Sequence, residues 1–507
     1  MKTTPFIMVL FGLLFTLGCS PQLTQTTEKF FPEYTALPKA TPALKKEKGY
    51  TNYVEMMAFL DTLKLKFPKK IRISFLGNSK NGLAIPMAVI GNSQNSDRVR
   101  IWMQGGLHGD EPAGTESILL FMHELLQNDS LNYLFDKCVF AFVPMANIDG
   151  YLKNERRNAE GLDLNRDQTK LMAAESINLK EAFSVFKPDI ALDLHEYRPF
   201  RKGFVQLSTT GVTSAYDVMF LYSGNLNVPE SLRLFTRNKF VNPTLGKLSK
   251  QGYTHHDYVT SDVEKGDIHF NQGSNNARSS ATNFALQNTI STLLEVRGVG
   301  IGRTSFHRRV HIGYMVALSY SKIASELSNS ELNAIRSPHM AKQITVRSKR
   351  AVYQDTLTFI DIDKNELLDL PVTIKDAWQS KATLARNRPI QYAIDETYGY
   401  LIPKIESFGL KVDTLKADAL YKTETFTVTD LNKAVNSYEK VYLQDVKTSI
   451  SEKDQTLKAG TFLINTNQKS GNILPELLEP EAPNSFISFG LLQTAIGKTL
   501  PIYRILP

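Results

Sequence analysis

The sequence predicts an α/β fold, and three observations carry that prediction. Between about residues 46 and 325, short apolar runs alternate with stretches of helical periodicity, as strands joined by helices do. Several of those runs are apolar almost without interruption, which is how strands buried on both faces of a sheet read. With 507 residues, 42% of them hydrophobic, the chain is also long enough for two or three domains with substantial cores. Around 328–342 the alternation breaks, and the remainder to Pro507 reads as a smaller mixed α/β domain.

Lys2 precedes an apolar stretch from Phe6 to Leu17 that ends in Gly18-Cys19-Ser20. This is the pattern of an export signal, too short to span a bilayer comfortably. The cysteine after a small residue resembles a bacterial lipoprotein signal, although Thr16 and Leu17 depart from its usual residues. The expectation is a signal peptide over 1–19, a lipid anchor at Cys19 as the sole membrane attachment, and a cell-envelope location in the periplasm or at the outer membrane. Secretion is the alternative. Residues 20–45, rich in Thr, Pro, Gln, Lys and Ala, read as a tether.

The first folded unit is expected over 46–330, with strands at 72–75, 84–90, 98–103, 137–144, 190–194, 203–207 and 291–296. Asp110 is placed to cap a helix opening at Glu111-Pro112 and running through Leu119, Leu120, Met122 and Leu125, with Glu111 in its first turn. The accessory unit, 340–507, is expected to hold strands at 344–347, 398–402 and 461–465 and a helix at 404–408. Past His339 it has no histidine, so no metal ligand is expected from it. The net charge of +8 is mild for this length and spread along the chain, which gives no sign of a nucleic-acid partner. The only other cysteine, Cys138, lies in Val139-Phe140-Ala141-Phe142 and reads as a small buried hydrophobe rather than half of a disulfide.

Chemistry gathers where strands end. Gly105-Gly106-Leu107-His108-Gly109-Asp110-Glu111 follows the apolar run 99–104, and His108 and Glu111, three residues apart, reach one point from one turn of chain. Imidazole nitrogen and carboxylate oxygen are good zinc donors, and a catalytic zinc takes three protein ligands and a water. The third candidate is His195, at the end of Asp189-Ile190-Ala191-Leu192-Asp193-Leu194-His195, where Asp193 shares its face of the strand. Glu295 sits inside an apolar run and is costly to bury there without a partner or a task. Between these lie Arg156-Arg157 and Asn165-Arg166, fixed cations suited to carboxylates.

The ordered set of HxxE, Asn147-Ile148-Asp149-Gly150-Tyr151, Arg156-to-Arg166, the strand-end histidine and Glu295-Val296-Arg297 resembles the zinc carboxypeptidase A family over roughly 95–300, in a divergent bacterial branch. The resemblance implies a mixed-sheet α/β/α domain with zinc held by His108, Glu111 and His195. It further implies that Glu295 activates the attacking water, Arg156 polarises the scissile carbonyl with Arg157 as the alternative, and Asn165 and Arg166 grip a free C-terminal carboxylate. The enzyme expected is a zinc exopeptidase acting on C-terminal peptide bonds. An amide hydrolase of N-acyl amino acids or murein stem peptides is the runner-up, and a catalytically silent binding protein a distant third. The family's active-site tyrosine has no match in sequence; Asn283, Arg278, Tyr253 and Tyr258 stay open for its place. Ala459–Ile464 and Leu477–Glu481 resemble the C-terminal extension of such bacterial members.

Overall fold

A computed structural model describes residues 21–507 except 92–96, 202, 205–206, 209–210, 265 and 339. The expected signal peptide and the expected lipid site at Cys19 lie outside the described residues. The strands of the first half are β1 (Ile71–Asn78), β2 (Ala84–Ile90), β3 (Val99–Gly105), β4 (Cys138–Val143), β5 (Ile190–Tyr197), β6 (Val212–Ser214), β7 (Val218–Leu221), β8 (His255–Asp257), β9 (Val259–Glu264), β10 (Asp267–Gln272) and β11 (Ile290–Arg297). The second half adds β12 (Gln343–Asp361), β13 (Glu366–Asn387), β14 (Gln391–Ile394), β15 (Asp413–Thr414), β16 (Ala419–Lys433), β17 (Gln444–Leu457), β18 (Phe462–Asn465) and β19 (Thr499–Ile505).

The central sheet has eight strands in the order β1-β2-β4-β3-β5-β11-β7-β8. β3 runs parallel to β4 and β5, and β5 to β11, whereas β1, β2 and β7 are antiparallel to their neighbours towards the centre. The sheet is therefore mixed, as expected. Register shows how it is covered. Ile101 and Met103 stand opposite Phe140 and Phe142 and share their face, and Phe121 of helix Pro112–Gln127 packs edge-on against both phenylalanines. Trp102 points the other way, against Phe183 and Phe186 of helix Ala174–Phe186. Both faces carry helices, so every residue of β4 and β5 is buried. Cys138 is buried and free, and burial pushes its thiol up to about 12.

Two further sheets complete the molecule: β6-β12-β13-β10-β9 and β15-β18-β14-β19-β16-β17. The first joins strands on both sides of the expected division near 330–340. The long hairpin β12–β13 pairs with β6 through β12 and with β10 through β13.

Three sequence expectations are corrected. Residues 398–402 form a helical turn, Glu396–Leu401, not a strand: Asp395 caps it by accepting from Thr397 N. Of the strand expected at 203–207, residues 203 and 204 lie in a helical turn, and 205–206 are outside the described residues. Of the expected tether at 20–45, the described residues 21–45 are packed against the fold. They include the helix Pro21–Phe30, and Phe31, Ala43 and Leu44 are buried. Thr41 and Thr51 donate hydroxyl hydrogen bonds to the buried Glu116, which also accepts from Ala43 N. Small polar residues that read as linker here satisfy a carboxylate inside helix Pro112–Gln127.

Candidate metal centre and catalytic cleft

The site forms beyond the carboxyl ends of β3, β5 and β11, where open α/β sheets place their ligands. His108 sits in the loop after β3. Gly109 inside that loop is obligatory on steric grounds, since a Cβ there would lie 2.1 Å from Gly150 C. Helix Pro112–Gln127 then starts one residue later than Asp110 would dictate. Glu111 is the N-cap and makes no capping hydrogen bond, because its carboxylate is turned towards the histidines. The expected cap by Asp110 is thus not made. Pro112 at the first helical position needs no hydrogen-bond acceptor, so the turn tolerates this. Parallel register sets Glu295 opposite His195, on the face that Asp193 and Leu293 share.

His108 Nδ1 lies 2.8 Å from Glu111 Oε1, and His195 Nδ1 lies 2.7 Å from Glu111 Oε2. The two Nδ1 atoms are 2.9 Å apart. One ligand atom from each of His108, Glu111 and His195 falls within 4.8 Å of the others, and all three residues are buried. Their outer nitrogens face carboxylates: His108 Nε2 is 3.1 Å from Asp163 Oδ1, and His195 Nε2 is 3.0 Å from Asp193 Oδ2, though not aligned for a hydrogen bond. Asp193 in turn accepts from Ser280 Oγ at 2.5 Å. Carboxylates at both Nε2 atoms favour the tautomers that leave both Nδ1 lone pairs facing inward. Two lone pairs and a carboxylate aimed at one point repel one another unless a cation lies between them. The donor set therefore fits zinc.

Charge is organised around that point. Burial pushes Glu111 up, but His108 and His195 outweigh it and hold its carboxyl well below the usual range. Asp163 behaves alike: His108 and Arg156 overcome the cost of burial. Arg156 reaches Asp163 Oδ2 with Nε and Nη2, both at 3.0 Å, and extends Nη1 to 3.4 Å from Glu111 Oε1. Arg157 points away, bonded to Gly161 O and paired with Glu439 at 2.7 Å, so of the two only Arg156 enters the site. Burial first, and repulsion from Glu111 second, raise the Glu295 carboxyl to about 7.

A cavity of about 340 Å³ opens in front of the donor set, with His108, Arg156, Asn165, Arg166 and Glu295 in its wall. Arg166 Nη1 donates to Asn165 O at 2.9 Å, and among the described residues it has no ion pair. The nearby Asp167 is taken by Lys170 and by the amides of Met172 and Ala173. Asn165 Oδ1 accepts from Ser280 N at 2.8 Å, which fixes its side chain against the 280 segment.

The four residues left open in the sequence now separate. Tyr258 and Arg278 line the cavity. Tyr253 bonds His311 Nδ1, and Asn283 bonds Lys180 in the core. Burial and then Glu295 raise the Tyr258 phenol, which places its ring near that carboxylate. Sequence reasoning missed Asp163 as the carboxylate behind His108, though it stands in the Asp163-Leu164-Asn165-Arg166 string. It also missed Arg350, which reaches the cavity from β12 and carries no local signal.

A buried His-Glu-His donor set at parallel strand ends, with a glutamate beside it and a cleft in front, defines a metal-dependent hydrolase. Residues 56–189 match the zinc carboxypeptidase family, a span that includes His108, Glu111, Arg156, Asn165 and Arg166. Carboxypeptidase 2 of Trichophyton equinum is 28% identical over 444 residues, which is 86% of this chain and 80% of that protein. Carboxypeptidase 2 of Trichophyton rubrum is 29% identical over 423 residues, 81% of this chain and 77% of its own. Matches this long take in much of the C-terminal region as well. Among solved structures, carboxypeptidase A from Helicoverpa armigera overlays with a TM-score of 0.43 at 16% identity, covering 60% of this chain and 80% of that one. The chain thus resembles zinc carboxypeptidases, by the family match over 56–189 and by carboxypeptidase relatives over most of its length, and both support a peptide hydrolase of the metallocarboxypeptidase class.

Proposed function

We propose that the protein is a zinc exopeptidase that removes C-terminal residues from peptides. The observation that carries this reading is that one cleft brings together the donor set His108, Glu111 and His195, the buried Glu295, and Arg166, which has no ion pair among the described residues. Zinc, when bound by those three residues, supplies Lewis acidity that makes a water acidic near neutral pH and polarises a carbonyl. Arg166, with Asn165, binds the free carboxylate of the substrate and sets the last peptide bond at the cleft. Arg156 stabilises the oxyanion that forms on the scissile carbonyl; Asp163 holds its guanidinium so that Nη1 faces the donor set. Glu295 takes the proton from the attacking water and passes it to the leaving amine, a task worth roughly 10²–10⁴-fold. Tyr258 shields the Glu295 side of the cleft. The envelope location is proposed with this activity, on the signal-like residues 1–19 and Cys19.

The test uses blocked dipeptides and their amidated counterparts. The zinc-loaded protein is expected to cleave the free acids and leave the amides, and Glu295→Gln is expected to lose at least about 10²-fold in kcat while still binding one zinc. Equal cleavage of amides removes Arg166 from its role. Full zinc with no cleavage of any free acid overturns the reading.

A further inference from the structure

The cleft holds more positive charge than a single terminal carboxylate neutralises. Arg156, Arg166, Arg278 and Arg350 all line it, with Glu295 as the carboxylate in its wall. Arg156 is matched by Asp163. Arg278 and Arg350 have no carboxylate at ion-pair distance among the described residues. The Arg278 guanidinium lies 5.0 Å from the ring centre of Tyr438, and Arg350 is held by neutral groups, with Nη1 2.9 Å from Asn271 Oδ1 and Nη2 3.4 Å from Asn275 Oδ1. Half-buried guanidinium groups aimed into a cleft without an anion are costly unless a ligand supplies one.

The backbone places Arg350 there deliberately. Between Lys349, opposite Lys381, and Ala351, opposite Asp376, the β12–β13 register jumps, and Arg350 is the residue at that irregularity. The extra residues, 377–380, lie on β13 opposite Arg350, and irregularities in pairing are over-represented beside active sites. The asparagine oxygens then hold the guanidinium without neutralising it, so its charge stays available to a ligand. Burial is the largest influence on both groups and lowers their affinity for the proton; Tyr438 on Arg278 and Asp376 on Arg350 oppose it, while Arg166 and Arg278 respectively add to it by repulsion. Arg166, Arg278 and Arg350 thus share one cleft wall and lie close enough to act on one another.

We infer that Arg278 and Arg350 form a second carboxylate site, which selects peptides whose C-terminal residue is acidic. The inference rests on the proposed exopeptidase reading, because it needs Arg166 to hold the terminal carboxylate while the side-chain carboxylate, a few bonds away, meets Arg278 and Arg350. Arg offers the planar fork that matches a carboxylate, and a site built for a charged partner rejects the uncharged isostere strongly.

The experiment compares blocked dipeptides ending in Glu, Gln, Leu and Lys on the zinc-loaded full chain, and measures calorimetric binding of acetyl-glutamate and acetyl-glutamine to the same protein. Wild type is expected to favour Glu over Gln by at least about tenfold in kcat/KM and in affinity. Arg350→Gln is expected to erase that ratio and leave cleavage of the Gln and Leu peptides within about twofold. A wild-type preference for Leu or Lys, or equal loss on all four peptides in Arg350→Gln, overturns the acidic-residue site and leaves the exopeptidase reading standing. No cleavage of any peptide overturns that reading, while tighter binding of acetyl-glutamate would still support the arginine pair. The wild-type ratio needs no variant, so it decides the matter even if Arg350→Gln fails to fold.

Discussion

Each histidine of the candidate centre has a carboxylate behind its outer nitrogen, and the two carboxylates come from different sources. Asp193 lies two residues before His195 on β5, so strand periodicity alone puts it on the right face. Asp163 comes from the loop after β4, more than fifty residues from His108, and meanwhile also holds Arg156. Removing either leaves an imidazole free to turn. Asp193→Ala is expected to weaken zinc binding about 10–100-fold in a chelator competition, with the secondary structure by circular dichroism unchanged. Unchanged zinc affinity would assign Asp193 to packing with Ser280 instead. That His108, Glu111, His195 and Glu295 gather was legible in sequence because their residue types are costly to bury and fall at strand ends in a fixed order. Asp163 and Arg350 were not, and Tyr258 stayed one of four candidates, because only folding decides which way their side chains point.

At the scale of elements, the parallel strands were readable, whereas of the long hairpins only 344–347 was read as strand. β2 was bounded to the residue, since strands covered on both faces are apolar throughout. β12–β13 and β16–β17 alternate exposed and buried residues or are exposed over long stretches, and their polar faces read as loop. Helix Pro112–Gln127 was found but entered one residue late. What fixes its position is a contact invisible in sequence: a Cβ on Gly114 would lie 2.4 Å from Leu194 O, so the helix rests directly on the backbone of β5. That contact sets the distance from Glu111 to His195. Gly114→Ala is therefore expected to push the helix off the strand, costing about 1–3 kcal/mol in chemical denaturation. It should also weaken zinc binding, although no ligand is altered. A loss of stability with intact zinc affinity would show that Glu111 adjusts independently of its helix.

At the scale of the whole molecule, the C-terminal region is built into the cleft rather than appended to it. Its hairpin β12–β13 extends a sheet begun by β9 and β10 and delivers Arg350. The turn between β16 and β17 delivers Tyr438 to Arg278 and Glu439 to the loop that carries Asp163. Glu439 accepts from Asp163 N at 2.8 Å and pairs with Arg157 at 2.7 Å, with its side chain only 4% exposed. It thereby ties down the one loop that supplies Asp163, Arg156, Asn165 and Arg166. A shielded carboxylate serving a backbone amide and an arginine contributes about 1–3 kcal/mol, and here the loss falls on the loop rather than on a core. Glu439→Ala is expected to lower kcat/KM on free-acid dipeptides by about tenfold, with a rise in KM as well as a fall in kcat, because the loop carries both the proposed terminal-carboxylate grip and the proposed oxyanion arginine. Global unfolding should shift little, since the hairpin keeps its pairing with β19. Kinetics within about twofold of wild type would reduce the β16–β17 turn to packing and confine the C-terminal contribution to Arg350.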